Sequence, residues 1–295
     1  MPGPVKLIVI DIDGTLLPSA GTRISGRNIR ALLEAEAAGL QIVIATGRRQ
    51  AYAAPLIAPV GLRPGTVMIT SNGTVTRTLA GAPIDRITLP IETARALCPA
   101  LRPLGTTVFT FDREGPGEMV LESLDHLHPR MTPWVEANRS SILQVRPLER
   151  AFDQGEEPVQ GMVCGTVAAM RRAQQGLDAG DLAPHIEVHR TEYEARDLTI
   201  LDILPPGCSK GAALQRLARQ QGIEREEILA LGDNWNDLEM LEYAGQAAVM
   251  ANGAPDLVRE VRRRGWLVAA SNDEDGVAQM LESVLARSRV SGMVE

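Results

Sequence analysis

The sequence predicts an α/β fold in which a parallel, Rossmann-like sheet is interrupted by an inserted α+β module. Three observations support this fold class. Residues 5–10 form an almost continuous apolar run, which is typical of a strand buried on both faces of a parallel sheet. Similar short apolar runs alternate with helical segments near both ends of the chain. Between them, from about residue 83, prolines recur and the alternation becomes irregular.

The first part of the predicted core covers residues 1–82 and contains a strand–helix–strand unit. Its second strand is the apolar run 40–45, and because such crossovers are right-handed, this strand is expected beside the first. Residues 67–70 are predicted to form a third strand. The Asn72-Gly73 pair that follows is typical of a tight turn, and a ligand role for Asn72 is compatible with that turn.

The inserted module is predicted over residues 83–202. Its short apolar segments are separated by proline-rich and glycine-rich turns, such as Gly115-Pro116-Gly117, which favours an α+β arrangement. The predicted strands cover residues 106–111, 119–121, 141–145, 159–164 and 186–189, and the predicted helices cover residues 91–101 and 167–177.

The second part of the predicted core covers residues 203–295. The apolar run 198–203 marks the return of the α/β pattern, and Ser209 is placed to cap a following helix. Lys210 then lies in the first turn of that helix, where the helix dipole disfavours a positive charge. An anion held by both the lysine and the helix end would explain this position, although a solvated lysine is the commoner case.

Polar side chains follow the predicted strands at what should be one edge of the sheet. Because ligands bind outside the carboxyl ends of parallel strands, these side chains are expected to meet there. Carboxylates need a divalent cation to approach a phosphate, and Mg²⁺ prefers oxygen ligands. A lysine and a hydroxyl then orient the transferring group, so the set predicts phosphoryl transfer with an aspartate as the available nucleophile. The members are Asp11, Asp13, Thr46, Lys210, Asp233 and Asp237.

Composition excludes several other classes of protein. The net charge is -7 and no basic block stands out, so we expect no nucleic-acid partner. No run approaches the roughly 20 apolar residues of a membrane span, so we expect no membrane partner. The 3 cysteines lie far apart without metal-type spacing. The cysteine count indicates reduced thiols, so we expect a cytoplasmic protein. We also expect a monomer or homodimer that binds a small-molecule phosphate ester.

Four segments resemble the motifs of the haloacid dehalogenase (HAD) superfamily, and more narrowly those of Cof-type sugar-phosphate phosphatases. The resemblance covers about residues 5–82 and 200–286, while the middle of the chain matches the family's inserted cap domain only in position and size. The segments are Asp11-x-Asp13-Gly14-Thr15, Thr46 in Ala-Thr-Gly-Arg, Lys210, and Gly232-Asp233-x-x-Asn236-Asp237.

This resemblance implies a role for each site residue. Asp11 would be the nucleophile that becomes an aspartyl phosphate, and Asp13 would protonate the leaving group and then activate water. The resemblance implies Mg²⁺ as the cofactor, with Asp237 anchoring its water shell or orienting Lys210. The implied metal residues are Asp11, Asp13 (through its main-chain carbonyl), Asp233 and Asp237. The implied substrate phosphate-binding residues are Thr46, Gly47, Arg48, Asn72 and Asn236, with Lys210 beside them.

Three rival functions are weighed against this phosphatase. A phosphomutase or other phosphotransferase would share the core and pass the phosphoryl group to a sugar instead of water. A non-enzymatic phospho-receiver switch also clusters acids at strand ends, but it lacks the adjacent Asp-x-Asp and the long insertion. A nicotinamide dehydrogenase is disfavoured because no Gly-x-Gly-x-x-Gly follows the first strand.

Overall fold

The computed structural model describes residues 4–291, and the side chains of residues 4–287. The outer limits of the predicted core, residues 1 and 295, lie outside the described residues. The strands are β1 Leu7–Ile10, β2 Gln41–Ala45, β3 Val67–Thr70, β4 Val75–Thr78, β5 Pro83–Arg86, β6 Val108–Thr110, β7 Met119–Leu121, β8 Ile142–Gln144, β9 Gln160–Gly165, β10 Glu187–Tyr193, β11 Leu198–Leu204, β12 Ile228–Gly232, β13 Gln246–Met250 and β14 Leu267–Ala269. The α-helices are α1 Gly26–Ala37, α2 Gln50–Ile57, α3 Ile91–Leu101, α4 Thr132–Asn138, α5 Val167–Asp178, α6 Lys210–Gln221, α7 Leu238–Tyr243, α8 Pro255–Arg263 and α9 Gly276–Ser291.

Two compact units divide the chain. The core unit comprises the residues up to Asp85 and those from Lys210 onward, and the inserted unit comprises Arg86–Ser209. The core unit contains a sheet of order β14-β13-β12-β1-β2-β3-β4-β5. Its pairings from β14 to β3 are parallel, and β4 pairs antiparallel with β3. The Rossmann-like core predicted from the apolar runs is therefore confirmed.

Strand β1 is buried on both faces of this sheet, as its apolar sequence predicts. Ile8 and Ile10 pack in one cluster that includes residues of α1, α2 and α9. Leu7 and Val9 pack in another that includes residues of α6, α7 and α8. Because every residue of β1 is fully buried, the strand fixes the position of whatever follows it.

The inserted unit has its own antiparallel-rich sheet, of order β10-β11-β9-β6-β7-β8. Helix α3 matches its predicted bounds, and α5 ends one residue beyond them. Helix α4 was not predicted, because prolines at 129 and 133 made its sequence resemble a loop. This unit is α+β, as predicted.

Strand β11 shows how the apolar pattern misleads at a boundary between units. It pairs antiparallel with β9 and β10, so it belongs to the sheet of the inserted unit. The predicted boundary between residues 202 and 203 falls inside this strand, whereas the compact units separate after Ser209. A buried strand of either sheet is apolar, and composition therefore does not assign it to one unit.

Across residues 4–291, every helix is too short or too polar to cross a bilayer.

Candidate active site

Four neighbouring strands of the core unit end at the same edge of the sheet. Asp11 follows β1, Thr46 follows β2, Ser71 follows β3 and Asp233 follows β12. The parallel pairing of these strands brings the residues together although they are far apart in sequence. Three side chains predicted from the sequence, those of Asp11, Thr46 and Asp233, therefore meet at the carboxyl edge, where open α/β sheets bind ligands.

Lys210 connects two of the acids. Its Nζ donates to Asp11 Oδ1 at 2.6 Å and to Asp237 Oδ1 at 2.7 Å. The lysine is 1% exposed, so both ion pairs lie in a poorly solvated environment. At the start of α6 the helix dipole disfavours a lone lysine, and the two carboxylates offset this unfavourable interaction.

Asp237 also shapes the loop that carries Asp233. Its Oδ2 accepts from the main-chain N–H of Asp233 at 3.0 Å and of Asn234 at 3.1 Å. Gly232 permits this close approach, because a Cβ there would lie 2.7 Å from the Asp237 carboxylate. With Oδ1 on Lys210 and Oδ2 on the loop, Asp237 is placed to orient its neighbours.

The turn after β1 packs closely against Asp233. Thr15 Oγ1 donates to Asp233 Oδ1 at 3.2 Å. Gly14 has φ +78°, and a Cβ on it would lie 2.2 Å from Asp233 Oδ2. Only glycine meets both requirements. From the other side, Asn252 Nδ2 donates to the Gly14 carbonyl at 2.7 Å.

Burial controls the protonation of this cluster. Burial raises the pKa of Asp11 to about 8, although the charge of Lys210 opposes the shift. Burial also raises the pKa of Asp233 well above its usual range, and the charges of Asp11 and Asp237 add to the effect. Burial alone would lower the pKa of Lys210, but the two carboxylates it contacts raise it. The cluster has three carboxylates against one ammonium, an excess of two negative charges that one divalent cation would neutralise.

The donor set fits magnesium. One carboxylate oxygen from each of Asp11, Asp233 and Asp237 lies within 4.8 Å of the others. These are the hard oxygen donors that Mg²⁺ prefers. Asp11 Oδ2 and Asp233 Oδ2 accept no hydrogen bond from the described residues, whereas both oxygens of Asp237 are engaged. The geometry favours Asp11 and Asp233 as direct ligands.

The predicted phosphate-binding residues lie beside this cluster. Asn236 Nδ2 donates to Asn72 Oδ1 at 3.1 Å, which links the loops after β12 and β3. Asn72 has φ +54°, and its main-chain N–H donates to the Thr46 carbonyl at 3.0 Å. A Cβ at Gly47 would lie 3.1 Å from the Asn72 amide, so the two loops are in close contact. The structure therefore brings Thr46, Gly47, Asn72 and Asn236 together.

Asp13 and Arg48 form a separate pair. Arg48 donates from Nε to Asp13 Oδ2 at 2.7 Å and from Nη2 to Asp13 Oδ1 at 2.5 Å. The Asp13 carboxylate is not part of the three-acid cluster of Asp11, Asp233 and Asp237. Arg48 thus contacts an acid, not only the loops assigned to the phosphate.

Sequence reasoning left Thr15 and Asn252 out of the site. Both act on the turn after β1, Thr15 through Asp233 and Asn252 through the Gly14 carbonyl. The hydroxyl in the Asp-Gly-Thr segment and the Asn-Gly pair after β13 were the signals available, since each is a polar group at the end of a strand.

The sequence matches the family model of haloacid dehalogenase-like hydrolases over residues 8–281. It is similar to the 5-amino-6-(5-phospho-D-ribitylamino)uracil phosphatase YwtE of Bacillus subtilis, with 29% identity covering 96% of this chain and 99% of that protein. It is also similar to the HMP-PP phosphatase of Yersinia enterocolitica, with 28% identity covering 95% of this chain and 96% of that protein.

A solved structure has the same fold. A haloacid dehalogenase-like hydrolase from Bacteroides thetaiotaomicron superposes with a TM-score of 0.75 and 26% identity, covering 95% of this chain and 99% of that one. The likeness extends across the inserted residues, a part of the chain that the sequence motifs do not cover.

Proposed function

The chain belongs to the haloacid dehalogenase-like hydrolases, as a phosphatase of the Cof type, and from this premise we propose that it hydrolyses small phosphorylated metabolites with the help of magnesium. The reaction would proceed through an aspartyl phosphate on Asp11. The observation that carries this proposal is the position of Lys210, whose Nζ lies 2.6 Å from Asp11 Oδ1 and 2.7 Å from Asp237 Oδ1.

The first step forms the aspartyl phosphate. A carboxylate oxygen of Asp11 attacks phosphorus, and the bond from phosphorus to the ester oxygen breaks. Lys210 contacts Oδ1 of the Asp11 carboxylate, so this side chain is oriented before the substrate arrives. Asp13 gives a proton to the departing alkoxide, which leaves as an alcohol.

The second step hydrolyses this intermediate. Asp13, now ionised, takes a proton from water, and the resulting hydroxide attacks phosphorus. Inorganic phosphate leaves and the Asp11 carboxylate is regenerated. Thr46, Gly47, Asn72 and Asn236 are proposed to hold the phosphoryl oxygens through hydroxyl, main-chain and amide donors during both steps.

The proposed cofactor is magnesium, held by Asp11, Asp233 and the main-chain carbonyl of Asp13. When bound, the ion supplies positive charge that neutralises the phosphoryl oxygens and the crowded carboxylates. Asp237 is proposed to orient Lys210 and the Asp233 loop, because both of its oxygens already accept hydrogen bonds.

The proposed substrates are sugar phosphates or related phosphorylated polyols. The Cof-type motifs support this class, and so does the name of the Bacillus subtilis relative, whose substrate carries a 5-phospho-D-ribityl group. A cytoplasmic location and a monomeric or homodimeric state stay predictions from the sequence.

A panel of phosphorylated metabolites tests this function. We expect release of inorganic phosphate from several sugar and polyol phosphates in the presence of magnesium, with water as the acceptor. Full activity in excess EDTA would contradict the metal-assisted mechanism. Transfer of the phosphoryl group to an added sugar, with no phosphate released, would instead identify a phosphotransferase.

The raised pKa of Asp11 predicts that magnesium binds more tightly as the pH rises. A carboxylate must lose its proton to ligate a metal, and the pKa of Asp11 is about 8, so binding below that pH releases a proton. The apparent affinity should increase by up to about tenfold per pH unit for each proton released. Calorimetric titration with MgCl₂ in two buffers of different ionisation enthalpy measures both quantities. An affinity independent of pH in this range would contradict the prediction.

A further inference from the structure

We propose that Arg48 is a positioning residue that fixes the carboxylate of Asp13 for proton transfer, an inference that rests on the proposed function. Its guanidinium donates to both oxygens of that carboxylate, at 2.7 Å and 2.5 Å. A two-point contact of this kind sets orientation as well as distance. In the part of the chain with described side chains, Arg48 is the only hydrogen-bond partner of the Asp13 carboxylate.

Arg48 is held by contacts that do not involve Asp13. Its main-chain N–H donates to Thr46 Oγ1 at 3.1 Å, and its carbonyl accepts from the Ser71 N–H at 2.9 Å. Its guanidinium carbon lies 4.7 Å from the centroid of the Tyr52 ring, within the range of a cation–π contact. Both the main chain and the guanidinium of Arg48 are therefore held by contacts other than the one with Asp13.

Asp13 is the less constrained partner. Its side chain is 39% exposed against 22% for Arg48, and it lies outside the cluster formed by Asp11, Asp233 and Asp237. It precedes Gly14 in a turn with non-helical dihedral angles, so local helical structure does not fix its side chain. Without the arginine, we expect the carboxylate to sample several rotamers.

The pairing leaves the acid able to react. Each carboxylate oxygen has two lone-pair positions, and the guanidinium occupies one on each. The remaining positions are available to a water or an alcohol. The guanidinium itself keeps its protons at any ordinary pH, so it does not compete as an acid. Arg48 would thus act through Asp13, in contrast to the direct phosphate contact predicted from the sequence.

A double-mutant cycle tests this assignment. With an alkyl phosphate that the wild type hydrolyses, Arg48→Met should lower kcat by about 10- to 100-fold, the range for a weakened acid–base contribution. KM should change by less than about threefold, because the phosphate contacts are intact. With p-nitrophenyl phosphate the loss should be smaller, since that leaving group needs little protonation. In an Asp13→Asn background, Arg48→Met should add less than about a threefold effect.

Two further variants provide controls. Arg48→Lys keeps the charge but loses the two-point contact, so we expect a kcat between those of the wild type and Arg48→Met. Arg63→Met removes the same charge from a side chain that is 70% exposed and precedes β3, at the end of that strand opposite the site, and should leave kcat within about twofold.

Two outcomes would overturn the positioning role. One is a raised KM and a weaker inhibition by inorganic phosphate at unchanged kcat, which would place Arg48 on the phosphate. The other is a loss of kcat on Arg48→Met that is as large in the Asp13→Asn background as in the wild type, because the two residues would then act independently. Crystal structures of the wild type and Arg48→Met test the inference without turnover, since Asp13 should have one rotamer in the first and several in the second. A wild type that releases no phosphate would reject the proposed function alone.

Discussion

Replacing Asp11 by asparagine should abolish turnover, with kcat lowered by about three orders of magnitude or more. The amide is nearly the same size as the carboxylate but is a poor nucleophile, so no aspartyl phosphate forms. The fold should persist, because Lys210 keeps its ion pair with Asp237 at 2.7 Å. Steady-state release of phosphate measures the loss. Mass spectrometry of acid-quenched protein should find phosphate on the Asp11 peptide of the wild type and none in the variant.

Asp181→Asn is the matched control for this experiment. Asp181 is an exposed acid of the inserted unit, so the same chemical change there should leave turnover within about twofold. Turnover of Asp11→Asn within about tenfold of the wild type would remove Asp11 from the role of nucleophile.

Replacing Lys210 by methionine should both inactivate and destabilise the protein. The substitution leaves Asp11 and Asp237 buried without their shared counter-charge, beside Asp233. Removing one partner of a buried ion pair commonly costs about 3–5 kcal/mol in the free energy of unfolding. The loss should be smaller at acidic pH, where the unpaired carboxylates take up protons. Urea denaturation at acidic and at alkaline pH measures this difference.

The chain offers one natural control, because Lys6 is its only other lysine. The Lys6 side chain is 58% exposed and pairs with Glu227 at 2.7 Å. Exposed pairs contribute little to stability, so Lys6→Met should scarcely change the denaturation midpoint. Equal midpoints for the two variants would show that the buried ion pairs at Lys210 are not stabilising.

The sequence predicted the parallel core because its strands are buried on both faces. In β1 every side chain contacts apolar neighbours, and such strands appear as unbroken apolar runs. For the same reason the apolar sequence of β11 did not show which sheet it belongs to, and in the structure it pairs with β9 and β10. Pairing partners depend on the packing of the whole chain, and local composition does not encode them.

The site was predictable as far as topology determines it. Parallel strands must end at one edge, so Asp11, Thr46 and Asp233 were expected to meet. The contact of Thr15 with Asp233 joins residues 218 positions apart, and no local pattern specifies it. The pairing of Arg48 with Asp13 likewise depends on the direction of two side chains, which the sequence does not give.

The insertion also constrains how the protein is made. Asp11 and Lys210 are 199 positions apart, and β1 pairs with β12 only once Ile228 and its neighbours exist. At about 5–20 residues per second, the ribosome supplies Lys210 roughly 10–40 s after Asp11. During that interval one edge of β1 has no strand to pair with, which is a condition that invites aggregation or chaperone binding. The inserted unit is continuous in sequence and is complete before the core unit. We therefore expect catalytic competence to be acquired late in synthesis, and we expect none in a chain truncated before β12.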